Sequence, residues 1–175
     1  DITVGLGSKY MGSHFAILTQ KDMENDNRKI YLKEEAIKSW HNIALYAKDK
    51  GIEEIYWEPM SISREFGETI EEAIKLNDEL NNNSPIPFSM CLDVDHGDLE
   101  SPDPLDTDPY SWIERCNSGF NMIHLKQSSS NKGGHWPFTA ENNKEGKIDP
   151  KKIIESIKKS HPRNIQMVLE LSFKE

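Results

Sequence analysis

The stretch that decides the fold runs from residue 88 to residue 126. It holds two apolar runs, Phe88-Ser-Met-Cys-Leu-Asp93 and Asn121-Met-Ile-His-Leu-Lys126, with a helix signal between them. That signal is Asp108-Pro109, because aspartate is a good N-cap and proline fits the first helical position. Two short buried runs separated by a helix predict parallel strands joined by a right-handed crossover.

The same alternation extends toward the N-terminus. Apolar residues at helical spacing predict an amphipathic helix over 33–50, and Gly51 marks its end. A buried strand follows over 52–58. Thr69 and Glu72 then form a capping-box pattern that predicts the start of the next helix.

The alternation also extends toward the C-terminus. We expect a long loop over 127–148. Asp149-Pro150 then repeats the signal for a helix start, and the last strand is expected over 165–171. Residues 1–8 predict a short first strand that ends in a glycine turn. About five strands and four helices therefore give an α/β fold with a parallel sheet, and both ends of the chain look cut from something larger.

Length and composition narrow the classes of function. The chain has 175 residues with 21 basic and 30 acidic side chains, a net charge of −9, and predicts one domain over 1–175. An acidic chain does not favour a nucleic-acid coat. The sequence contains no apolar run of 18 residues, so we expect no membrane partner and a cytoplasmic location. Cys91 and Cys116 lie in apolar contexts and predict buried free thiols.

Polar residues at four strand ends carry the chemistry. Glu58, Asp93, His124 and Glu170 each lie in or just after an apolar run, 31 to 46 residues apart, which is about one strand–helix unit. Successive parallel strands return to the same edge, so these side chains are expected to converge there. Oxygen-rich ligands with one nitrogen suit Mn²⁺, Mg²⁺ or Co²⁺, and Zn²⁺ is a further option.

Each of these residues also has a common interpretation that involves no metal. A glutamate at a strand end is commonly a solvated surface group, and a histidine in a strand is commonly a hydrogen-bonded core residue. The regular spacing of four such residues favours a metal site. Nearby, His96 is a candidate for hydrogen bonding beside the metal, while Lys126 and Arg64 are candidates for binding an anion.

Five segments resemble the sugar-phosphate isomerase/epimerase family, which belongs to the xylose isomerase-like TIM barrels. The more specific signals are His124-Leu-Lys-Gln127 and His135-Trp-Pro-Phe-Thr139. The segments that carry the resemblance are Trp57–Glu65, Cys91–His96, Ile123–Gln127, Gly134–Thr139 and Leu169–Phe173. The resemblance matches strands four to eight of an eight-stranded barrel, so strands one to three and the last helix are expected to lie outside these 175 residues.

The resemblance also implies roles for individual residues. Glu58, Asp93, His124 and Glu170 would bind one divalent metal, and Glu58 and Glu170 would also face each other as the catalytic acid/base pair. The reaction implied is epimerisation at C3 of a ketose phosphate of the erythrulose 1-phosphate kind, through an enediolate that the metal stabilises.

Substrate binding is implied for four further residues and one loop. His96 would hydrogen-bond a substrate oxygen, and Arg64, Lys126 and His135 are candidates for the phosphate or a terminal hydroxyl. The loop over 128–134 is a candidate to close over a phosphate. The implied partner is thus a small phosphorylated sugar, and association into a homo-oligomer is open.

Three other functions are compatible with parts of this pattern. An aldose–ketose isomerase would use the same four ligands. An AP endonuclease of the trinuclear-zinc kind would also use His96 and His135, but it needs an aspartate where this chain has Gly133, and the negative charge opposes DNA binding. An inactive barrel fragment that binds metal without turnover is the non-enzyme alternative.

Overall fold

Five strands form one sheet in which every neighbouring pair is parallel. In a computed structural model, residues 1–129, 133–160 and 164–172 are described. The sheet order is β1-β2-β3-β4-β7, so each strand lies beside the strand that precedes it in this sheet. The strands of this sheet are β1 (Tyr10–His14), β2 (Glu54–Glu58), β3 (Phe88–Asp93), β4 (Phe120–Leu125) and β7 (Gln166–Leu169).

Helices connect these strands, as parallel pairing requires. The long helix α3 precedes β2, α4 joins β2 to β3, α5 joins β3 to β4, and α7 precedes β7. The helices are α1 (Ile2–Gly5), α2 (Gln20–Met23), α3 (Asp26–Asp49), α4 (Ile70–Asn81), α5 (Pro109–Cys116), α6 (Asn142–Glu145) and α7 (Pro150–Ser160). Within the described ranges, none of these helices is both long and apolar enough to cross a membrane.

The two faces of the sheet differ in chemistry because side chains alternate along a strand. Residues that point toward the helices are apolar and fully buried, among them Ile55, Trp57, Met90 and Ile123. The opposite face carries polar groups along each strand. The helices therefore cover one face of the sheet, and the polar face is left to form a site.

Contacts between distant strands show that the sheet is strongly curved. Gln166 on β7 donates from Nε2 to the Tyr56 hydroxyl on β2 at 3.2 Å, although two strands lie between them. Asn121 Nδ2 on β4 likewise donates to Glu54 Oε1 on β2 at 2.7 Å. Neighbouring strands are about 4.8 Å apart, so a flat sheet would hold these side chains apart. The polar face is thus the concave inner face of a partial barrel.

Three of the predicted helix starts are confirmed by their capping hydrogen bonds. Thr69 Oγ1 accepts from the Glu72 backbone N–H at 3.2 Å, and an Asp108 carboxylate oxygen accepts from the Ser111 N–H at 2.8 Å. The Asp149 carboxylate accepts from the Lys151 N–H at 2.9 Å. These side chains satisfy N–H groups that have no partner inside the helix.

Three regions differ from the sequence-based expectation. The first long helix was expected over 33–50, but it begins at Asp26 and ends at Asp49. Residues 1–8 were expected to form a strand, but 2–5 form one helical turn and the first strand is Tyr10–His14. Residues 127–148 were expected to be a loop, but they include an antiparallel pair, β5 (Gln127–Ser129) with β6 (Gly133–Trp136), and the short helix α6. The candidate phosphate loop over 128–134 falls partly on residues 130–132, outside the described residues.

The cysteine prediction is confirmed. Cys91 on β3 and Cys116 on α5 are both free and buried. Burial raises the pKa of both thiols, to about 12 for Cys116, so both are protonated at neutral pH.

Candidate active site

The polar residues at the carboxyl ends of the strands form one continuous cluster on the concave face. Glu58 ends β2 and Asp93 ends β3, while His124 lies beside Asp93 in the register of β4. Glu170 directly follows β7, where its backbone N–H donates to the Leu125 carbonyl at 3.0 Å. The four residues therefore lie at the same edge of the sheet, as their spacing in the sequence predicts.

Lys126 joins two of these carboxylates. Its Nζ lies 2.9 Å from Asp93 Oδ2 and 3.0 Å from Glu170 Oε2, and the residue is only 2% exposed. The second oxygen of Asp93, Oδ1, accepts from the Asp95 backbone N–H at 2.8 Å. Asp93 thus has one oxygen fixed by backbone and one that faces the ammonium group.

Glu58 is flanked by two imidazoles. Its Oε1 lies 3.4 Å from His96 Nδ1 and 3.4 Å from His124 Nδ1. His96 Nδ1 is also 3.1 Å from the Pro59 carbonyl, which can accept only when this nitrogen carries the proton. His96 therefore has its Nε2 available for a ligand.

The environment separates the proton affinities of the carboxyl groups. Burial raises the pKa of Asp93. Burial also acts to raise the pKa of Glu170, but the Lys126 ammonium, 3.0 Å from its Oε2, works against that effect, and the pKa of Glu170 is lowered to about 2. Glu58 raises the pKa of His124, against the opposing effect of burial. Burial lowers the pKa of Lys126, yet its two carboxylate partners reverse this and keep it charged.

Among the described residues, two buried polar atoms of the cluster have no hydrogen-bond partner of acceptable geometry. They are Asp93 Oδ2, which has only its ion pairs, and His124 Nδ1; the two lie 3.9 Å apart. Buried polar atoms without hydrogen bonds are rare, and such an atom in a native structure calls for an explanation. A carboxylate oxygen and an imidazole nitrogen facing each other are suitable ligands for a divalent cation.

Three overlapping groups of residues could hold such a cation. In each, the potential ligand atoms lie within 4.8 Å of one another. The groups are Glu58 with Cys91 and His124, Glu58 with Asp93 and His96, and Asp93 with His124 and Glu170. Each of the four predicted metal ligands occurs in at least one group, so the donor set fits the metal that the sequence resemblance implies.

The structure places the remaining predicted residues at different distances from this cluster. His135 on β6 is near it, with Nδ1 3.5 Å from Glu170 Oε2. The backbone supports this position, because the Ser172 N–H donates to the His135 carbonyl at 3.0 Å. Arg64 instead donates from Nη1 to the Leu18 carbonyl at 2.8 Å, a contact that ties its loop to the chain after β1. Its role with substrate remains a prediction.

Sequence reasoning assigned no role to two residues that border the site. His14 ends β1 and is the register partner of Glu58. It lines a cavity of about 440 Å³ on the concave face, together with Glu58, Cys91 and His124. Glu65 is 7% exposed, and its Oε1 lies 3.5 Å from His14 Nδ1. The sequence signal for His14 was its position after the glycine-serine turn Gly12-Ser13, whereas its pairing with Glu65 spans 51 residues.

The curved parallel sheet is part of an α/β barrel. Its acidic and imidazole groups lie at the carboxyl edge of the strands, where such barrels have their active sites. No family model matches the chain. The chain is 44% identical over 176 residues to the D-erythrulose 1-phosphate 3-epimerase of Brucella abortus (strain 2308), an alignment that covers 100% of this chain and 57% of that protein. The chain is a homologue of that epimerase, and the predicted resemblance is confirmed.

Solved structures give the same fold. A protein of Rhodospirillum rubrum ATCC 11170, named provisionally as a xylose isomerase, matches with a TM-score of 0.86 and 22% identity over 99% of this chain and 57% of that one. A D-tagatose 3-epimerase-like protein matches with a TM-score of 0.71 and 16% identity over 97% of this chain and 58% of that one. The chain thus spans a little over half the length of the curated relative and of these structures, as the expected partial barrel requires.

Proposed function

We propose that the protein containing this chain is a divalent-metal-dependent epimerase that inverts C3 of a ketose phosphate. The observation that carries the proposal is the pair of buried atoms without hydrogen bonds, Asp93 Oδ2 and His124 Nδ1, set between Glu58 and Glu170. The name of the curated homologue supports the substrate class.

The four residues Glu58, Asp93, His124 and Glu170 would hold the cation. When bound, Mn²⁺, Mg²⁺ or Co²⁺ would supply Lewis-acid stabilisation of negative charge on the substrate oxygens. Their carboxylates would balance the charge of the ion, and the buried position of Asp93 would keep bulk water away from that side of the site.

Two carboxylates provide the proton transfers. Glu58 on β2 and Glu170 after β7 belong to strands separated by β3 and β4, so they approach a ligand in the cluster from different sides. One removes the proton on C3, which leaves an enediolate, and the other returns a proton to the opposite face. The centre is inverted without a redox cofactor.

The substrate phosphate needs a cation, and Lys126 is the buried candidate. His135 and His96 would add hydrogen bonds beside it. Movement of the Lys126 ammonium toward the phosphate would also weaken its contact with Glu170. Because that contact lowers the pKa of Glu170, its loss would make this carboxylate a stronger base when substrate is present.

Solvent deuterium uptake tests this proposal. We expect the native protein with Mn²⁺ in D₂O to label C3 of D-erythrulose 1-phosphate, followed by NMR, and a chelator to stop the exchange. Glu170→Gln is expected to abolish exchange while the fold persists. Glu114→Gln is the matched control, since Glu114 pairs with Lys159 at 3.0 Å on the surface, away from the cluster.

The outcomes separate the alternatives. Label at C1 would identify an aldose–ketose isomerase on the same scaffold. Exchange that survives in Glu170→Gln would refute the mechanism with two carboxylates. An absence of exchange with any ketose phosphate in the folded native protein would refute the proposed function.

A further inference from the structure

We infer that His14 and Glu65 form a second polar pair that binds the terminal hydroxyl group of the substrate at the β1 side of the cavity. The inference rests on the proposed function and adds to it a direction in which the ketose phosphate lies. Neither residue has a place in the proton transfers described above.

The position of His14 is fixed by the sheet. It is the last residue of β1, directly beside Glu58 on β2, and its side chain is half exposed toward the 440 Å³ cavity. Neighbouring strands are about 4.8 Å apart, so an imidazole here reaches a molecule that also contacts Glu58.

Glu65 holds the imidazole from behind. Its side chain is 5% exposed, and among the described residues its one ion-pair partner is His14, with Oε1 3.5 Å from Nδ1. A buried carboxylate without a partner is costly, so this contact favours one orientation of the ring. The hydrogen bond directs Nδ1 away from the cavity, which leaves Nε2 for a ligand.

The loop that carries Glu65 is anchored independently of any ligand. The Leu18 N–H donates to the Arg64 carbonyl at 2.8 Å, and Arg64 Nη1 donates to the Leu18 carbonyl at 2.8 Å. Ile17 and Glu65 also form an isolated antiparallel bridge. The pair is therefore prearranged rather than a chance surface contact.

The charged groups of the neighbouring cluster give the direction of the substrate. Lys126 lies between Asp93 and Glu170, on the side of the sheet formed by β4 and β7, whereas His14 lies on β1 at the opposite edge. A ketose 1-phosphate has a dianion at one end and a hydroxyl group at the other. The phosphate belongs at the ammonium group, and the terminal hydroxyl then reaches His14 Nε2, which accepts its proton in a hydrogen bond.

The test compares two compounds, D-erythrulose 1-phosphate and its 4-deoxy analogue, in the native protein loaded with Mn²⁺. Deuterium exchange gives KM and kcat, and titration calorimetry gives the affinity for both compounds even where turnover is absent. In the wild type, the analogue is expected to bind about two- to tenfold more weakly, the effect of losing one hydrogen bond. In His14→Phe, this preference is expected to vanish through a higher KM for the hydroxylated compound, with kcat within about threefold.

Two further sets of variants distinguish positioning from simple structural support. Glu65→Gln keeps an acceptor for Nδ1 and is expected to retain most of the preference, whereas Glu65→Leu is expected to lose it. His41→Phe is the matched control, because His41 lies on α3, on the helix side of the sheet, with its Nε2 2.8 Å from the Leu80 carbonyl. It is expected to leave the preference unchanged.

The inference is overturned if His14→Phe retains the wild-type preference, if the wild type shows none in calorimetry, or if His14→Phe loses kcat rather than affinity. Failure of the proposed function is a separate result, namely absence of C3 exchange in the wild type, because the calorimetric preference is measured without turnover. Should Glu65→Leu fail to fold, His14→Phe and Glu65→Gln still decide the matter.

Discussion

Replacing Lys126 by methionine is expected to destabilise the metal-free protein and to strengthen its binding of Mn²⁺. Methionine is close in length but removes the ammonium that bridges Asp93 and Glu170. Asp93 is 6% exposed, and removal of one partner of a buried ion pair costs about 3–5 kcal/mol. Glu170 is far more exposed and adds little. We therefore expect a loss of about 3 kcal/mol in the free energy of unfolding without metal.

The gain in metal affinity follows from competition for one oxygen. Asp93 Oδ1 is fixed by the Asp95 N–H, so Oδ2 must serve either the Lys126 ammonium or a cation. A unit charge and a divalent ion 4 Å apart interact by about 8 kcal/mol at an effective dielectric constant of 20. Relief of about a sixth of this repulsion between ammonium and ion makes Mn²⁺ bind about tenfold more tightly to Lys126→Met.

Urea unfolding of chelator-treated protein and calorimetric titration with MnCl₂ measure both effects. Lys159→Met is the matched control, because it removes one positive charge from an exposed pair with Glu114 at 3.0 Å. It is expected to change stability by less than about 0.5 kcal/mol and to leave the affinity for Mn²⁺ unaltered. Equal or weaker Mn²⁺ binding in Lys126→Met would refute the idea that ammonium and metal compete for Asp93.

Three other substitutions test the surroundings of the site. Burial and nearby acidic groups raise the pKa of Glu68 to about 7. Ionisation of Glu68 in the folded protein is therefore unfavourable, and the free energy of unfolding falls as the pH rises from about 4.5 to 7. Glu68→Gln is expected to raise Tm at about pH 8 but not at about pH 4.5. Asp106 is buried and accepts from the Ile70 N–H at 2.9 Å, so Asp106→Ala is expected to cost about 2 kcal/mol in urea unfolding. A Cβ on Gly146 would clash with the Gln127 side chain, so Gly146→Ala is expected to destabilise the protein and, by displacing β5, to weaken substrate binding, as measured by urea unfolding and KM. Gly5→Ala is the control, because no atom of the described residues lies within 4 Å of the added Cβ.

The sheet could be predicted wherever a strand is buried on its helix side. In β3 all six residues from Phe88 to Asp93 are buried, and the predicted bounds are those observed. The strand β1 was missed because Tyr10–His14 lies at an edge, is mostly exposed and contains Gly12, so it has no apolar run. The antiparallel pair of β5 and β6 was missed for a related reason, because Gly133 and Gly134 begin β6 and resemble a loop.

The part of the site that lies at the strand ends could be predicted from the sequence. Parallel topology brings the ends of successive strands together, so Glu58, Asp93 and His124 were placed by chain order alone. Contacts that depend on loop docking were not accessible in this way. The turn of Arg64 toward Leu18 and the burial of Glu65 behind His14 both result from how one loop packs on another.

The agreement between strand order and chain order has a consequence for how the site assembles during folding. Each strand of the sheet pairs with its predecessor, so pairing can proceed along the chain as a zipper. Glu58 and Asp93 come together first, as two negative charges, and only the pairing of β4 supplies His124 and Lys126 to balance them. All four residues of β7 are exposed, and within the described sheet it pairs on one side with β4, so its opening is expected to need little energy. Hydrogen exchange at the Glu170 amide would then report how often the proton-transfer machinery comes apart while the rest of the protein stays folded.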